Sequence, residues 1–460
     1  MDLLEQAVAE RKRIHFIGVG GVMMSSLALE LHRRGAVVTG SDRSESPNVE
    51  LVRANGIPVS IGHKAEYVAG AAVIVRNAAI PDTSPDIAYA RSAGIPVLER
   101  PQVLGHIMAE YPCSVGVSGT HGKSTTSGML VHAMRSAGTD PTAFLGAALP
   151  EINGTYVLGS DERFVAESCE YCRSFLHLHP KVAVILNVEA DHLDYYSGIE
   201  EIIGAFRDFA CKTPADGTVV VNGSSANAMR AVAGIDRRIV TFGGETSDYT
   251  AADLSMERGC WSYTLTERGE PLCRIRLAVP GRHNVDNSLA AAAALRVFGF
   301  DAAQIADGIS TYAGVLRRFQ RLGSFRGADV VDDYAHHPDE LEATLRTALS
   351  YGYKRVICLF QPHTYSRTAA LRERFCEVLR MADIAVLTDI YAAREADVFG
   401  ISSKDLADAV AGAVYAPSLE DAADCLASLA EPGDLILTCG AGSVDRAAQL
   451  LLDREGGVRL

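Results

Sequence analysis

The residues of this sequence whose types and spacing best support chemistry form a glycine-rich turn just past its first quarter. The turn consists of Gly119, Thr120, His121, Gly122, Lys123, Ser124, Thr125 and Thr126. Backbone N–H groups of such a turn can point at a phosphate, and the N-terminus of a following helix adds partial positive charge. Lys123 is placed to reach the β- and γ-phosphates of a nucleotide, and the Ser124 hydroxyl to bind magnesium. The turn therefore predicts ATP binding.

The elements on either side of the turn favour the same interpretation. The apolar run 115–117 precedes it, and a helical pattern that includes residues 129–134 follows it. Strand, turn and helix in this order are typical of a nucleotide-binding loop. The usual phosphate loop has a glycine where Val117 stands, with Gly116 one residue too early, so a purely structural glycine turn is the alternative.

Two polar residues follow apolar runs further along the chain. Glu167 ends the predicted strand 163–167, and His192 comes shortly after the predicted strand 182–186. The carboxyl ends of parallel strands meet at the sheet edge where ligands bind, so we expect both residues beside Lys123. Together with Ser124 they would form a magnesium site. The alternative for either residue is a solvated or capping role.

The N-terminal segment has a β-α-β pattern with a glycine turn. A predicted strand at 14–17 leads into Gly18, Gly20 and Gly21, a helix from Val22 to Arg34 follows, and a second strand at 36–40 ends near Asp42. This spacing is typical of a site for a nucleoside diphosphate or for NAD. A tight turn without a ligand is the alternative, because Met23 stands where a third glycine would fall.

A third unit begins around residues 314–318. It contains four predicted strands, at 330–334, 355–360, 384–389 and 435–440. The first ends in Ala335-His336-His337-Pro338, and the second leads into the His- and Arg-bearing segment 361–368. In a doubly wound sheet a small substrate binds at such strand ends. The alternative for His336 and His337 is an N-cap turn before a helix that begins at Pro338.

Composition limits the class of protein. A chain of 460 residues is expected to hold two to four domains. A net charge of −14 does not favour nucleic acid or an anionic membrane surface as a partner. The start lacks the features of a secretory signal, and no apolar run approaches the roughly 20 residues of a membrane span. We expect a cytoplasmic protein with reduced cysteines, in which Cys169 and Cys172 alone cannot fill a zinc site.

Six segments together resemble the Mur ligases, the ATP-dependent amino-acid ligases of peptidoglycan synthesis. They fall in the family's order along nearly the whole chain: GTHGKS, NVEADHLDYY, GRHNVDN at 281–287, LRRF at 316–319, DDYAHHP and QPHTYSRT. The resemblance implies an α/β fold with three domains. We expect a Rossmann-like UDP-sugar domain at 1–108, a central P-loop ATPase-like domain with a parallel sheet at 109–314, and a Rossmann-like amino-acid domain at 315–460.

The resemblance also implies an activity. The HFIGVGG opening and DDYAHHP are most similar to the member that joins L-alanine to the carboxylate of UDP-N-acetylmuramate. The reaction passes through an acyl phosphate, uses ATP and Mg²⁺, and serves cell wall biogenesis, cell shape and cell division. The alternatives are the ligase that recycles a preformed tripeptide, a folylpolyglutamate-type ligase, a nucleotide-dependent oxidoreductase and an ATP-driven switch without ligase activity. We expect no nucleic-acid or membrane partner, and a monomer or homodimer.

Individual roles follow from the resemblance, motif by motif. The metal ligands would be Ser124, Glu167 and His192. Besides the glycine-rich turn, ATP would contact Asn284 and Asn287 near the adenine, Asp333 at the ribose, and Arg318 at the γ-phosphate, with Arg317 beside it. The UDP-sugar would contact Gly18, Gly20, Gly21, Asp42 and His63. The amino acid would contact Tyr334, His336 and Arg367. The catalytic set would be Lys123, Glu167, His192, Arg318 and His336.

Three positions and one segment depart from the family pattern. Met23 and Ser26 replace glycines of the N-terminal turn, and Thr364 stands where the family often has arginine. The segment after Glu167 also differs, which leaves Glu170 without an assigned role.

Overall fold

A computed structural model describes residues 3–77, 80–192, 195–257, 259–393 and 395–459. The chain divides into two compact units. The first contains Met1–Thr250, Glu267–Gly269 and Leu289–Gly308, and the second contains Ala251–Thr266, Glu270–Ser288 and Ile309–Leu460. All ten cysteines lie in the described part and are free thiols. Among the described residues, no helix is long and apolar enough to cross a bilayer.

The N-terminal part of the first unit is a parallel sheet of five strands in the order β3-β2-β1-β4-β5. The strands are β1 Arg13–Ile17, β2 Val37–Asp42, β3 Val59–Ile61, β4 Val73–Arg76 and β5 Val97–Glu99. The helices are α1 Leu3–Ala9, α2 Val22–Arg33, α3 Pro47–Ala54, α4 Ala65–Val68, α5 Pro85–Ser92 and α6 Arg100–Ala109. The predicted β-α-β opening is confirmed as β1, α2 and β2. The strand order places the carboxyl ends of β1 and β4 next to each other, where doubly wound sheets bind ligands.

The rest of the first unit is built on a second sheet, in which the strand order runs β12-β11-β10-β6-β9-β7-β8. The strands are β6 Cys113–Ser118, β7 Thr142–Leu149, β8 Gly154–Val157, β9 Arg163–Glu167, β10 Val182–Ile185, β11 Thr218–Asn222 and β12 Arg238–Phe242. The helices are α7 Lys123–Ser136, α8 Ile199–Lys212 and α9 Ala226–Val232, with 3₁₀ segments at Pro150–Ile152 and Tyr171–His177. Strand β6 lies between β9 and β10 and is parallel to both. The ends of these three strands therefore adjoin one another.

One hydrophobic cluster serves both sheets of the first unit. It joins Leu27 and Leu31 of α2 with Val103 of α6, and continues into Phe164 and Phe175 of the central part. Each of these side chains is almost completely buried. The shared cluster explains why the two sheets form one compact unit, since burial of apolar area is the main favourable term in folding.

The segment from Tyr249 to Thr311 belongs in parts to both units. It forms β13 Tyr249–Glu257, β14 Cys260–Glu267, β15 Glu270–Pro280, α10 His283–Val297 and α11 Ala302–Thr311.

The C-terminal part of the second unit is a sheet in the order β20-β19-β18-β21-β17-β16-β22. The strands are β16 Gln320–Phe325, β17 Ala328–Asp333, β18 Val356–Phe360, β19 Ile384–Leu387, β20 Val414–Tyr415, β21 Leu435–Cys439 and β22 Gly457–Arg459. The helices are α12 Pro338–Ser350, α13 Tyr365–Ala370, α14 Arg372–Leu379, α15 Ser403–Ala409, α16 Leu419–Leu429 and α17 Asp445–Leu452. The four predicted strands are confirmed as β17, β18, β19 and β21. The antiparallel β16 and β22 and the two-residue β20 were not predicted, because they are short or interrupted by polar residues and glycine.

Candidate active site

The glycine-rich turn connects β6 to α7 and has the backbone of a phosphate-binding loop. Gly122 precedes the first turn of α7 in the left-handed region, with φ of 86°, where glycine is favoured. The loop is fixed to the segment after β10: the backbone N–H of His121 donates to Oδ1 of Asn187 at 2.8 Å, and Nδ2 of Asn187 donates back to the His121 carbonyl at 3.1 Å. Asn187 was not predicted as a site residue, although it opens the NVEADHLDYY motif.

Lys123 lies at the start of α7 and folds back over the loop. Its Nζ donates to the carbonyls of Gly119 and Thr120 at 2.5 and 3.1 Å, and lies 3.0 Å from Oε2 of Glu170. Burial alone would lower the pKa of the Lys123 ammonium, but the carboxylates of Glu170 and Glu167 raise it overall. The side chain therefore stays a cation, as phosphate binding requires.

Ser124 and Glu167 are in direct contact. The Ser124 hydroxyl donates to Oε2 of Glu167 at 2.7 Å, which joins the first turn of α7 to the end of β9. Gly146 of β7 makes room for this carboxylate, since a Cβ at that position would lie 2.2 Å from Oε2 of Glu167. Both groups are oxygen donors, the kind of ligand that Mg²⁺ prefers.

His192 lies with a different pair of acids. Its Nε2 is 3.7 Å from Oε1 of Glu170 and 3.7 Å from Oδ2 of Asp191. One ligand atom from each of the three residues lies within 4.8 Å of the others, so the group fits a divalent cation. Leu193 and Asp194 of the same motif lie outside the described residues. The structure thus groups His192 with Glu170 and Asp191, and Ser124 with Glu167; that these residues bind a metal stays a prediction.

The predicted UDP-sugar residues gather at the carboxyl edge of the N-terminal sheet. The backbone N–H of Gly20 donates to Oδ2 of Asp42 at 2.8 Å, so Asp42 also holds the glycine turn in shape. His63 follows β3, and its Nδ1 lies 2.8 Å from Oδ2 of the completely buried Asp86. Gly18 adopts φ of 77° in the same turn. Asp86 was missed, because nothing in its local sequence indicates that α5 carries it to His63.

The predicted amino-acid residues gather in the second unit. Nδ1 of His336 donates to the Tyr334 carbonyl at 3.0 Å, and its ring centroid is 5.8 Å from that of His363. His363 in turn lies 3.4 Å from Nη1 of Arg367 and stacks on Tyr391. The structure therefore brings together the three predicted residues and adds His363 and Tyr391, of which His363 lies inside the QPHTYSRT motif.

The electrostatics of this cluster keep the imidazoles neutral. Burial lowers the pKa of His336 below its usual value, against the opposing effect of Glu340. Burial, together with the neighbouring His336 and Arg367, lowers the pKa of His363 to about 4. His337 has another role: it is the N-cap of α12 and accepts from the backbone N–H of Asp339 at 3.4 Å. The capping alternative is therefore confirmed for His337.

Asp333 ends β17 as a buried carboxyl group. It accepts from the backbone N–H groups of Phe319 and Ala335 at 2.7 and 2.8 Å. Burial raises the pKa of Asp333 to about 6, although Arg318 and both N–H groups act in the opposite direction. The guanidinium of Arg318 lies over the Tyr334 ring at 5.5 Å.

Arg317 is engaged within its own domain. Its Nε donates to Asp332 at 2.8 Å, and its two terminal nitrogens donate to the carbonyls of Gly440 and Gly442. These bonds hold the end of β17 to the segment after β21. These bonds give Arg317 a structural role in the second unit. That Arg318, with Arg317 beside it, contacts the γ-phosphate stays a prediction.

The two asparagines of the GRHNVDN motif lie at the start of α10. Nδ2 of Asn284 donates to the Pro280 carbonyl at 2.6 Å, and Nδ2 of Asn287 donates to Oδ1 of Asn284 at 2.9 Å. Both side chains are buried. The amides thus fix the first turn of α10, and their contact with adenine stays a prediction.

Three family models match consecutive parts of the chain. The Mur ligase family catalytic domain matches residues 13–112, the Mur ligase middle domain residues 117–295, and the Mur ligase glutamate ligase domain residues 317–442.

Curated relatives are similar over nearly their full length. The chain is 42% identical over 448 residues to a UDP-N-acetylmuramate–L-alanine ligase of Agathobacter rectalis, and 43% identical over 450 residues to one of Caldanaerobacter subterraneus subsp. tengcongensis. Each alignment covers 96% of this chain and 98% of the relative.

A solved structure is similar in fold. The UDP-N-acetylmuramate–alanine ligase of Thermotoga maritima superposes with a TM-score of 0.80 at 27% identity, covering 96% of this chain and 99% of that one. With the family models, it confirms the α/β class with three domains. The bounds 1–108, 109–314 and 315–460 stay a prediction.

Proposed function

The chain belongs to the Mur ligase family, and from this premise we propose that it joins L-alanine to UDP-N-acetylmuramate in peptidoglycan synthesis. The observation that carries this function is the identity of 42–43% to alanine ligases over nearly the whole of both chains. The enzyme is an ATP-dependent acid–amino-acid ligase. Its place is in cell wall biogenesis, and hence in cell shape and division.

The chemistry explains why ATP is needed. A carboxylate does not react with an amine in water until its oxygen becomes a leaving group. The γ-phosphoryl group passes from ATP to a carboxylate oxygen of the muramyl group, and ADP leaves. The alanine nitrogen then attacks the carbonyl carbon, the bond to the phosphate oxygen breaks, and inorganic phosphate leaves. Two anions meet in the first step, so concentrated positive charge lowers its barrier.

The first unit supplies residues for phosphoryl transfer. Lys123 stays protonated and lies at the mouth of the loop whose N–H groups would hold the phosphates. We assign the divalent-cation ligands to Ser124, Glu167 and His192. The oxygens of Ser124 and Glu167 are the kind of ligand that Mg²⁺ prefers, and His192 would add an imidazole nitrogen. Bound there, Mg²⁺ would neutralise phosphate charge. From the second unit we assign Arg318 to the γ-phosphate and Asp333 to the ribose.

The second unit supplies a base for the amine. Both acceptors near Nδ1 of His336 are oxygens, the Tyr334 carbonyl and Glu340, so Nδ1 carries the proton in the neutral ring. Nε2 then holds the lone pair that can take a proton from the attacking alanine amine. We assign Tyr334 and Arg367 to the alanine itself, with the cation of Arg367 facing its carboxylate.

The N-terminal sheet would bind the sugar nucleotide. We assign Gly18, Gly20, Gly21, Asp42 and His63 to the UDP moiety. Support comes from their position at the carboxyl edge of the N-terminal sheet, the edge at which doubly wound sheets generally bind ligands. We further propose that the enzyme is cytoplasmic and acts as a monomer or homodimer.

Product analysis tests this function against the ligase that recycles a tripeptide. The protein is incubated with ATP, Mg²⁺ and UDP-N-acetylmuramate, with either L-alanine or the tripeptide as acceptor, and the products are analysed by mass spectrometry. We expect a product heavier by one alanyl residue with L-alanine. A product formed only with the tripeptide would contradict the proposal.

A further inference from the structure

Glu170 is a buried carboxylate beside the lysine that must bind the phosphates, and the resemblance gave it no role. We propose that Glu170 makes the nucleotide site select cation-bound ATP over free ATP, because its carboxylate competes with the γ-phosphate for the Lys123 ammonium. The inference rests on the proposed ATP site and adds a determinant of its selectivity.

The first evidence is the ion pair itself. Oε2 and Oε1 of Glu170 lie 3.0 and 3.2 Å from Nζ of Lys123. The Glu170 side chain is 3% exposed and that of Lys123 is 13% exposed, so solvent screens the pair weakly. A phosphate oxygen that reaches the ammonium must therefore displace or crowd a carboxylate. Free ATP brings its full negative charge to this carboxylate, and no bound cation offsets the repulsion between them.

The second evidence is the other neighbour of Glu170. The same Oε1 atom that lies 3.2 Å from Lys123 lies 3.7 Å from Nε2 of His192. Glu170, Asp191 and His192 form the group whose ligand atoms fit a divalent cation. A divalent cation bound through His192, one of the ligands assigned above, would attract the adjoining Glu170 carboxylate away from Lys123 and offset its charge. Cation-bound ATP therefore gains access to the ammonium that free ATP lacks.

Hydrogen bonds to its backbone hold Glu170 between Lys123 and His192. The hydroxyl of Tyr196 donates to the Glu170 carbonyl at 2.5 Å, and the N–H of Arg173 donates to the same carbonyl at 3.0 Å. These bonds anchor the main chain while the carboxylate keeps two partners in reach. The side chain can thus change partner without movement of the segment that carries it.

The test compares ATP affinity with and without Mg²⁺ by isothermal titration calorimetry, using a non-hydrolysable ATP analogue. The variants are Glu170→Gln and, as a charge-matched control, Glu189→Gln, whose exposed carboxylate lies 3.5 Å from His121 of the loop. In EDTA we expect Glu170→Gln to bind the analogue about tenfold more tightly than wild type, as removal of a close like charge in a weakly screened site implies. The preference for the Mg²⁺ complex should fall by a similar factor. Glu189→Gln should change both values less than twofold.

The outcomes separate this inference from the proposed function. Wild-type protein that binds the analogue in neither condition contradicts the ATP site itself. Wild-type protein that prefers the Mg²⁺ complex, with an unchanged preference in Glu170→Gln or an equal change in Glu189→Gln, overturns the inference alone. If circular dichroism shows that Glu170→Gln is unfolded, Glu170→Asp takes its place. The shorter Asp side chain keeps the negative charge but places it further from Lys123. We therefore expect Glu170→Asp to prefer the Mg²⁺ complex less strongly than wild type does. An unchanged preference in this variant overturns the inference.

Discussion

Single residues decide whether phosphoryl transfer can occur, and Lys123 carries the charge that this step needs. Removing a cation from a transferring phosphoryl group costs on the order of 10²-fold in rate or more. We therefore expect Lys123→Ala to lower phosphate release at saturating substrates by at least about 100-fold. Lys181→Ala, which removes a lysine directly before β10 that pairs with Asp216, should leave the rate unchanged. A normal rate in Lys123→Ala would refute the phosphate-loop interpretation.

His336 is the residue assigned to take the proton of the amine. General bases contribute about 10²- to 10⁴-fold, so His336→Ala should lower turnover at saturating alanine by that range. His337→Ala is the matched control, because it removes the neighbouring N-cap and costs about 1 kcal/mol of stability without touching the amine. Turnover is measured by product formation. Near-normal turnover in His336→Ala would eliminate this assignment.

Asp333 links pH to stability. Its pKa is raised from 3.8 to about 6 in the folded chain, so between these values the folded state holds a proton that the unfolded state has lost. The protonated carboxyl group therefore contributes about 3 kcal/mol to the free energy of unfolding. This contribution is complete below about pH 4 and is lost as the pH rises to about 6. The unfolding free energy of wild type, measured by urea titration, should fall over this window relative to that of Asp333→Asn. Parallel pH profiles of the two proteins would contradict the raised pKa.

At the scale of elements, parallel strands that end at one edge bring distant motifs together. The sequence predicted β6, β9 and β10 because each is a short apolar run, and the carboxyl ends of these strands carry Ser118, Glu167 and the segment of Asn187. It also predicted which β-α turns contain glycine. It did not predict the partners of those turns, such as Asn187 with His121 or Asp86 with His63, because these contacts depend on side-chain directions across 23 or 66 residues of chain.

One glycine of the first unit lies in close contact with the segment that follows Glu170 of the candidate site. Gly105 of α6 packs on the 3₁₀ segment Tyr171–His177 that follows Glu170, where a Cβ would lie 1.9 Å from the His177 carbonyl oxygen. Gly105→Ala should therefore cost about 1–3 kcal/mol by overpacking. Gly204→Ala in α8, where nothing lies within 4 Å of the added Cβ, should instead gain about 0.5–1 kcal/mol. Both are measured by urea unfolding, and a neutral or stabilising Gly105→Ala would show that α6 does not pack closely there.

For the whole molecule, the sequence predicted three domains but not how the core is divided among them. The hydrophobic cluster that joins α2 and α6 to the central sheet unites the first of these parts and most of the second in one compact unit, while residues 251–266 and 270–288 belong to the other unit. Periodicity shows that a helix has an apolar face, but it does not show which of two neighbouring sheets receives that face. The family resemblance predicts both the domains and the site residues from the order of the motifs along the chain. That order carries no information on how the core packs.

The ligase activity of the whole chain is tested most directly by phosphate release, measured with ATP, Mg²⁺, UDP-N-acetylmuramate and L-alanine together and with each component omitted in turn. Ligation couples the cleavage of ATP to the presence of both acceptors. We therefore predict steady release only in the complete mixture, with one alanyl product formed per phosphate. Steady release that continues without the sugar nucleotide or without alanine would contradict a ligase and indicate an ATP-driven switch.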